Sequence, residues 1–156
     1  MADGGKTVLI EEATLDEIWH AAAPLLSAHY EEVAKFKEIA VLKPDYERYK
    51  QAECSNRFLA LLVRVEGEVI GYSANFHAAS LHYADLNVYQ NDVIYLAPEH
   101  RGGRLGLALI YKTIEHIRTR WGPGLMVWHA KEATPLNTLL PRLGYEILDV
   151  LWAKAI

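Results

Sequence analysis

The residues best placed to do chemistry lie between Asp92 and Gly106, in the run Asp-Val-Ile-Tyr-Leu-Ala-Pro-Glu-His-Arg-Gly-Gly-Arg-Leu-Gly. Asp92 to Leu96 reads as a strand of β-branched and apolar residues that stops at Ala97-Pro98. A strongly amphipathic helix opens on the far side of a loop holding Gly102, Gly103 and Gly106, positions with no Cβ to block a close approach. Free N–H groups at the helix start, the positive end of its dipole, and Arg101 and Arg104 would together attract a phosphate or pyrophosphate. An ordinary strand-to-helix turn is the plain alternative. Two better-known phosphate motifs are excluded. No Gly-Lys-Ser/Thr occurs for a Walker A loop, and Gly102-Gly103-Arg104-Leu105-Gly106 does not supply G-x-G-x-x-G.

The rest of the chain must hold that loop in place. Thr7 to Ile10 reads as a strand, and Thr14 with Glu17 three positions on forms a capping box. Leu15, Ile18, Trp19, Ala22, Leu25 and Leu26 then recur at helical spacing, with Pro24 predicting a break near His20 to Ala23. A second helix is expected over Tyr46 to Ala52. Phe58 to Val65 and Glu68 to Phe76 read as a hairpin around Glu66-Gly67. Ser80 to Gln90 suits either a loop or an irregular strand. Leu107, Ile110, Tyr111, Ile114, Ile117 and Trp121 mark the clearest helix, stopped by Gly122-Pro123-Gly124. Leu125 to His129 is expected as a strand, Pro135 to Leu143 as a short helix and Tyr145 to Ala155 as a final strand. This order predicts a mixed α/β layer with antiparallel hairpins early and βαβ units late.

Composition sets the outer limits. The 156 residues, 51% hydrophobic, suit one domain spanning 1–156. Sixteen Lys+Arg against twenty Asp+Glu leave a net charge of -4, which argues against nucleic acid as a partner. No apolar run approaches the roughly 20 residues of a membrane helix, and no secretory leader is legible at the N-terminus, so a soluble cytoplasmic protein is expected. The single cysteine, Cys54, excludes an intramolecular disulfide and a Cys-based zinc cluster, and it reads as a simple small residue. Seven histidines show no H-x₃-H or H-E-x-x-H spacing, so no metal is expected. His77, His82 and His129 are candidates to line a cleft. Phe76, His77, His82, Tyr83 and Tyr89 are candidates to wall an acceptor pocket. Trp19, Trp121, Trp128 and Trp152 are expected in the core.

Tyr95 to Leu109 resembles the acyl-CoA motif of the GNAT superfamily of N-acetyltransferases, commonly [QR]-x-x-G-x-[GA] after a strand end. Arg101, Gly102 and Gly106 match it; Arg104 stands at the pattern's middle glycine, with Gly103 one position early. Gly71-Tyr72 is similar to the family's "vGy" stretch, and Pro141 to Glu146 resembles its Y-E-K-x-G-F-E. The resemblance implies a central, mostly antiparallel twisted sheet with helices on both faces, and a splayed parallel strand pair that binds CoA. It implies transfer of an acetyl group from acetyl-CoA, as cosubstrate, to a primary amine by direct attack in a ternary complex. Cofactor contacts would come from Leu96, Ala97, Arg101, Gly102, Gly103, Arg104, Leu105 and Gly106. The strand ends admitting the pantetheine would be Tyr95 to Ala97 and His129 to Lys131, with the Leu96 N–H facing the thioester carbonyl.

Asp92 is the first choice for the base. It stands four residues before Leu96 on one strand, so period-two alternation predicts both side chains on one face. The plain alternative is that Asp92 caps a turn with Asn91. Glu99 is a weaker candidate, expected to face solvent. The family's acidic tyrosine corresponds to Leu140 and its strand-end asparagine falls near Ala133, leaving Tyr83, Tyr95, Tyr111 or solvent to protonate the thiolate. The partners implied are acetyl-CoA and an amine acceptor, small molecule or protein amine, without a membrane and with room for a homodimer. The competing reading is a CoA-binding or protein-interaction module on the same fold without catalysis.

Overall fold

The computed structural model describes residues 2–3, 5–132 and 134–155. Six strands form one sheet in sequential order: β1 (Ala2–Asp3), β2 (Lys6–Ala13), β3 (Phe58–Val65), β4 (Glu68–Ala79), β5 (Asn87–Leu96) and β6 (Leu125–Trp128). Neighbours are antiparallel until the last pair, where β5 and β6 run parallel. The crossover between them is α4 (Leu105–Trp121), as parallel pairing requires. This is the mixed α/β layer predicted from the element order.

Three helices cover one face: α1 (Leu15–Ala21), α2 (Ala23–Val33) and α3 (Tyr46–Cys54). The Thr14–Glu17 capping box starts α1, and Ala22 both ends α1 and begins α2. Pro24 falls in the first turn of α2, where a missing N–H has no intrahelical partner to lose. The apolar sequence of β3 follows from its position, because helices stand on both sides of the sheet. Phe58, Ala60 and Leu62 pack with Leu15, Ile18 and Ala52 under α1–α3, while Leu59, Leu61 and Val63 pack with Leu105, Leu109 and Ile117 under α4.

The second half of the chain departs from expectation at its end. Leu136–Leu139 is a short helix, α5, followed by a 3-10 turn over Pro141–Leu143. The strand predicted over Tyr145 to Ala155 does not form; those residues pair with no other strand. Ile147, Leu151 and Trp152 stand 86%, 87% and 91% exposed, so Trp152 is not a core residue either. A run of β-prone residues becomes a strand only where a neighbour accepts its hydrogen bonds, and β6 remains the sheet's edge.

Candidate active site

The site is built where β5 outruns its parallel neighbour. β5 and β6 pair from Val88–Leu125 to Asn91–Trp128; β6 then ends, while β5 continues to Leu96. A wedge therefore opens beside the last residues of β5. Gly71 of β4 lies opposite Leu96, and the Ala97 N–H donates to the Ile70 carbonyl at 2.8 Å. That bond makes Gly71 and Leu96 a non-hydrogen-bonded pair, so the Leu96 N–H and C=O both point away from β4, toward the wedge. The approach requires glycine: a Cβ on Gly71 would stand 2.7 Å from the Tyr95 carbonyl oxygen. On the last rung between β5 and β6, Asn91 Oδ1 and Trp128 Nε1 are buried without hydrogen-bond partners among the described residues.

The loop after β5 suits an anion. A 3-10 turn over Pro98–His100 leads to Gly102, whose φ of 84° favours a residue without a Cβ. A Cβ at Gly103 or Gly106 would meet nothing within 4 Å, so the outer surface of the turn is open. The N-terminus of α4 has no side-chain cap and no acidic residue in its first turn. Arg104 is exposed beside it. Free N–H groups, the helix dipole and Arg104 fit a pyrophosphate.

Arg101 is placed differently. Its Nη1 and Nη2 each donate to a Glu32 carboxylate oxygen at 2.7 Å, and its Nε donates to the Leu96 carbonyl at 2.6 Å. The Glu32 carboxyl is held below the usual range by this pairing. The Leu96 carbonyl is therefore already satisfied, and its N–H is the strand-end group left facing the wedge.

Asp92 sits at a β-bulge. Ala74 pairs with Val93 and Asn75 with Asn91, leaving Asp92 opposite no residue of β4. The extra residue breaks the alternation that would put Asp92 and Leu96 on one face. Leu96 packs under α4, whereas Asp92 turns to the α1–α3 side, where Tyr49 Oη donates to its Oδ2 at 2.8 Å. The expectation of a shared face is thus corrected by the bulge. Tyr72 Oη and His29 Nδ1 are hydrogen-bonded at 2.8 Å on the same side, and the His29 ring stacks on Tyr95 at 4.8 Å. Burial depresses the His29 pKa and raises those of Tyr49 and Tyr72, so all three favour their neutral forms.

Beneath the bulge, on the α4 side, lies a second polar group of another kind: Ser73, Asn75, Asn91 and Thr113, all essentially inaccessible. Asn91 Nδ2 donates to Asn75 Oδ1 at 2.9 Å, to the Val93 carbonyl at 3.0 Å and to the Ala74 carbonyl at 3.3 Å. These bonds tie the two flanks of the bulge together. Asn91 is therefore buried inside the strand rather than capping a turn.

Among other predicted site residues, Glu99 and His129 are exposed, and Tyr83 and Tyr111 stand 66% and 55% exposed. Tyr95 is buried beside His29, Leu140 is buried, and Ala133 lies outside the described residues. The proposed aromatic wall divides. Phe76 packs toward α1–α3; His77 and Tyr89 pack on Trp121 of α4; His82 and Tyr83 lie in the exposed loop between β4 and β5. Tyr49, His29 and Glu32 carried no motif and were missed; Tyr72 was noted only as part of the "vGy" stretch.

No helix is long and apolar enough to cross a membrane among the described residues. No curated protein matches the chain. An aminoglycoside acetyltransferase from an uncultured soil metagenomic sample shares the fold with a TM-score of 0.73 and 19% identity, covering 96% of this chain and 99% of its own. A ribosomal-protein-alanine N-acetyltransferase from Brucella melitensis biovar Abortus aligns with a TM-score of 0.64 and 23% identity over 96% and 97% of the two chains. A predicted acetyltransferase from Clostridium acetobutylicum, solved with acetyl-CoA, aligns with a TM-score of 0.70 and 9% identity over 96% of each. The sequence profile of the acetyltransferase (GNAT) family matches residues 19–145. That match spans most of the chain, which belongs to the GNAT family and is an acyltransferase of that type.

Proposed function

We propose that the protein transfers an acetyl group from acetyl-CoA to a primary amine by direct attack in a ternary complex. The observation that carries this reading is the wedge beside Leu96, which opens onto the uncapped start of α4. The backbone of Gly102, Gly103, Leu105 and Gly106, with Arg104, holds the pyrophosphate. The edge of β5 beyond Asn91, left unpaired where β6 ends, lies along the pantetheine up to Leu96 and Ala97. The donor brings an activated thioester. Leu96 directs its N–H at the carbonyl oxygen, where negative charge develops in the transition state.

Asp92 takes the proton from the attacking amine. It is exposed, it faces the helical side, and Tyr49 orients its carboxylate. The CoA thiolate is an adequate leaving group near neutral pH, so solvent can return its proton even though Leu140 stands at the family's tyrosine position. The acceptor is a small-molecule or protein amine. Structural neighbours that act on aminoglycosides and on a ribosomal protein illustrate both classes. We place the reaction in the cytoplasm, where its donor is made.

The buried Leu140 favours one competing reading, a CoA-binding module without turnover. Free-thiol release from acetyl-CoA across a panel of amines, beside calorimetric CoA binding, separates the two. Amine-dependent thiol release is expected; CoA binding without release on any acceptor would establish the module instead.

A further inference from the structure

Arg101 matches the acyl-CoA motif, yet its side chain does not lie on the outer surface of the loop. It reaches back to helix α2 and forms a two-pronged ion pair with Glu32, while its Nε caps the Leu96 carbonyl. The guanidinium carbon also stands 5.2 Å from the centre of the Tyr95 ring, which His29 of α2 stacks against at 4.8 Å. The peptide bearing the Leu96 N–H joins Tyr95 to Leu96. It is therefore held on both flanks: at the Tyr95 ring by His29 and Arg101, and at the Leu96 carbonyl by Arg101. Both holds trace to α2, one directly and one through Glu32.

We infer that Glu32 and Arg101 are positioning residues: α2 fixes the end of β5 through them, so that the Leu96 N–H points at the reacting carbonyl, and Arg101 is not a phosphate ligand. The geometry favours this role for three reasons. A guanidinium whose three donor nitrogens are matched by two carboxylate oxygens and a carbonyl has its best directions already used. Glu32 in its place would repel an incoming pyrophosphate if the pair were broken to admit one. Arg104, exposed and beside the helix start, is the cation the loop offers to that anion. An oxyanion donor also needs a fixed direction to act without reorganisation; the β4 ladder holds one edge of the Leu96 peptide, and with β6 already ended the contacts from α2 hold the other.

The inference rests on the acetyl-transfer reading above, and its test separates the two. Glu32→Gln, Arg101→Gln, Arg101→Lys and the double glutamine variant are compared by calorimetric CoA binding, by acetyl transfer at saturating acetyl-CoA and by the amide ¹H–¹⁵N resonance of Leu96. Glu32→Gln should lower kcat roughly ten- to hundred-fold with less than about a threefold change in CoA affinity. Arg101→Gln should do the same, and the double variant should be no slower than Arg101→Gln alone, because the pair acts as one device. Arg101→Lys, which keeps charge but loses the fork, should recover little of the rate. The Leu96 amide should shift in every variant. If Arg101→Gln weakens CoA binding more than about tenfold while Glu32→Gln leaves it unchanged or tighter, Arg101 is a phosphate ligand and the inference is wrong. Should the wild type bind no CoA at all, the functional reading fails first. An unmoved Leu96 amide in Glu32→Gln then overturns the positional hold independently, and a shifted one sustains it.

Discussion

The two sides of the sheet at Asp92 carry polar groups of opposite character. Toward α1–α3 stand groups that titrate or carry charge: Asp92, His29, Tyr49, Tyr72 and the Glu32–Arg101 pair. Toward α4, directly beneath the bulge, stand amides and hydroxyls: Ser73, Asn75, Asn91 and Thr113. One residue of register separates them. The neutral side is sealed and binds the flanks of the bulge, because uncharged donors and acceptors tolerate full burial when paired. The other side opens where Asp92 meets solvent. A bulge therefore needs an inert set of groups to hold it and a reactive set to use it, and the chain keeps them apart.

Exchanging the chemistry on each side tests that division, and the largest effect belongs to Asp92. Asp92→Asn should lower kcat/KM by about 100-fold. Its unfolding free energy in urea should stay within about 0.5 kcal/mol of wild type, because the side chain is exposed. An unchanged rate would remove Asp92 as the base. On the sealed side the ranking reverses. Asn91→Ala should cost about 2–3 kcal/mol of stability, since it strands the Asn75 carbonyl oxygen and loosens both flanks of the bulge. A cost below about 0.5 kcal/mol in urea unfolding would mean the bulge is held by its backbone alone.

Acid sensitivity should belong to one side. Burial lowers the His29 pKa most; Arg101 adds to that more weakly, and Glu32 and Asp92 oppose it. The unfolded chain therefore binds a proton at His29 before the native state does. Stability should fall as pH drops below the unfolded value of about 6.5, with a slope of up to about 1.4 kcal/mol per pH unit from this group. His29→Gln should flatten that part of the stability profile, as measured by urea unfolding between about pH 5 and 7.5. The smallest effect is expected at Thr113→Val, which loses a bond to Ser73 Oγ. It should cost about 0.5–1 kcal/mol, equal at every pH in that range. A pH-dependent loss there would blur the distinction between the two sides.

Much of the fold was legible because its signals are local. The Thr14–Glu17 box, the Glu66-Gly67 turn and the apolar stripe of α4 each lie within a few residues of the structure they specify. The glycine loop was legible for the same reason. The bulge was not, since a shift of pairing between β4 and β5 depends on how two strands meet rather than on either one. The Glu32–Arg101 pair joins residues 69 apart in sequence, and no spacing rule reaches that far. Tyr49 and Asp92 are separated by 43 residues and were equally hidden. The motif identified Arg101 by position, and only the fold showed which way its side chain turns.

The C-terminal arm has a practical consequence. From Ile147 to Trp152 it is exposed and mostly apolar, lacking the backbone pairing that elsewhere shields a peptide bond. Proteases bind substrates in that form, so limited digestion should nick the arm before the sheet. Its bare hydrophobic surface also makes it the segment most prone to drive aggregation at high concentration. The shelf life of a purified sample would then be governed by this arm rather than by the sheet.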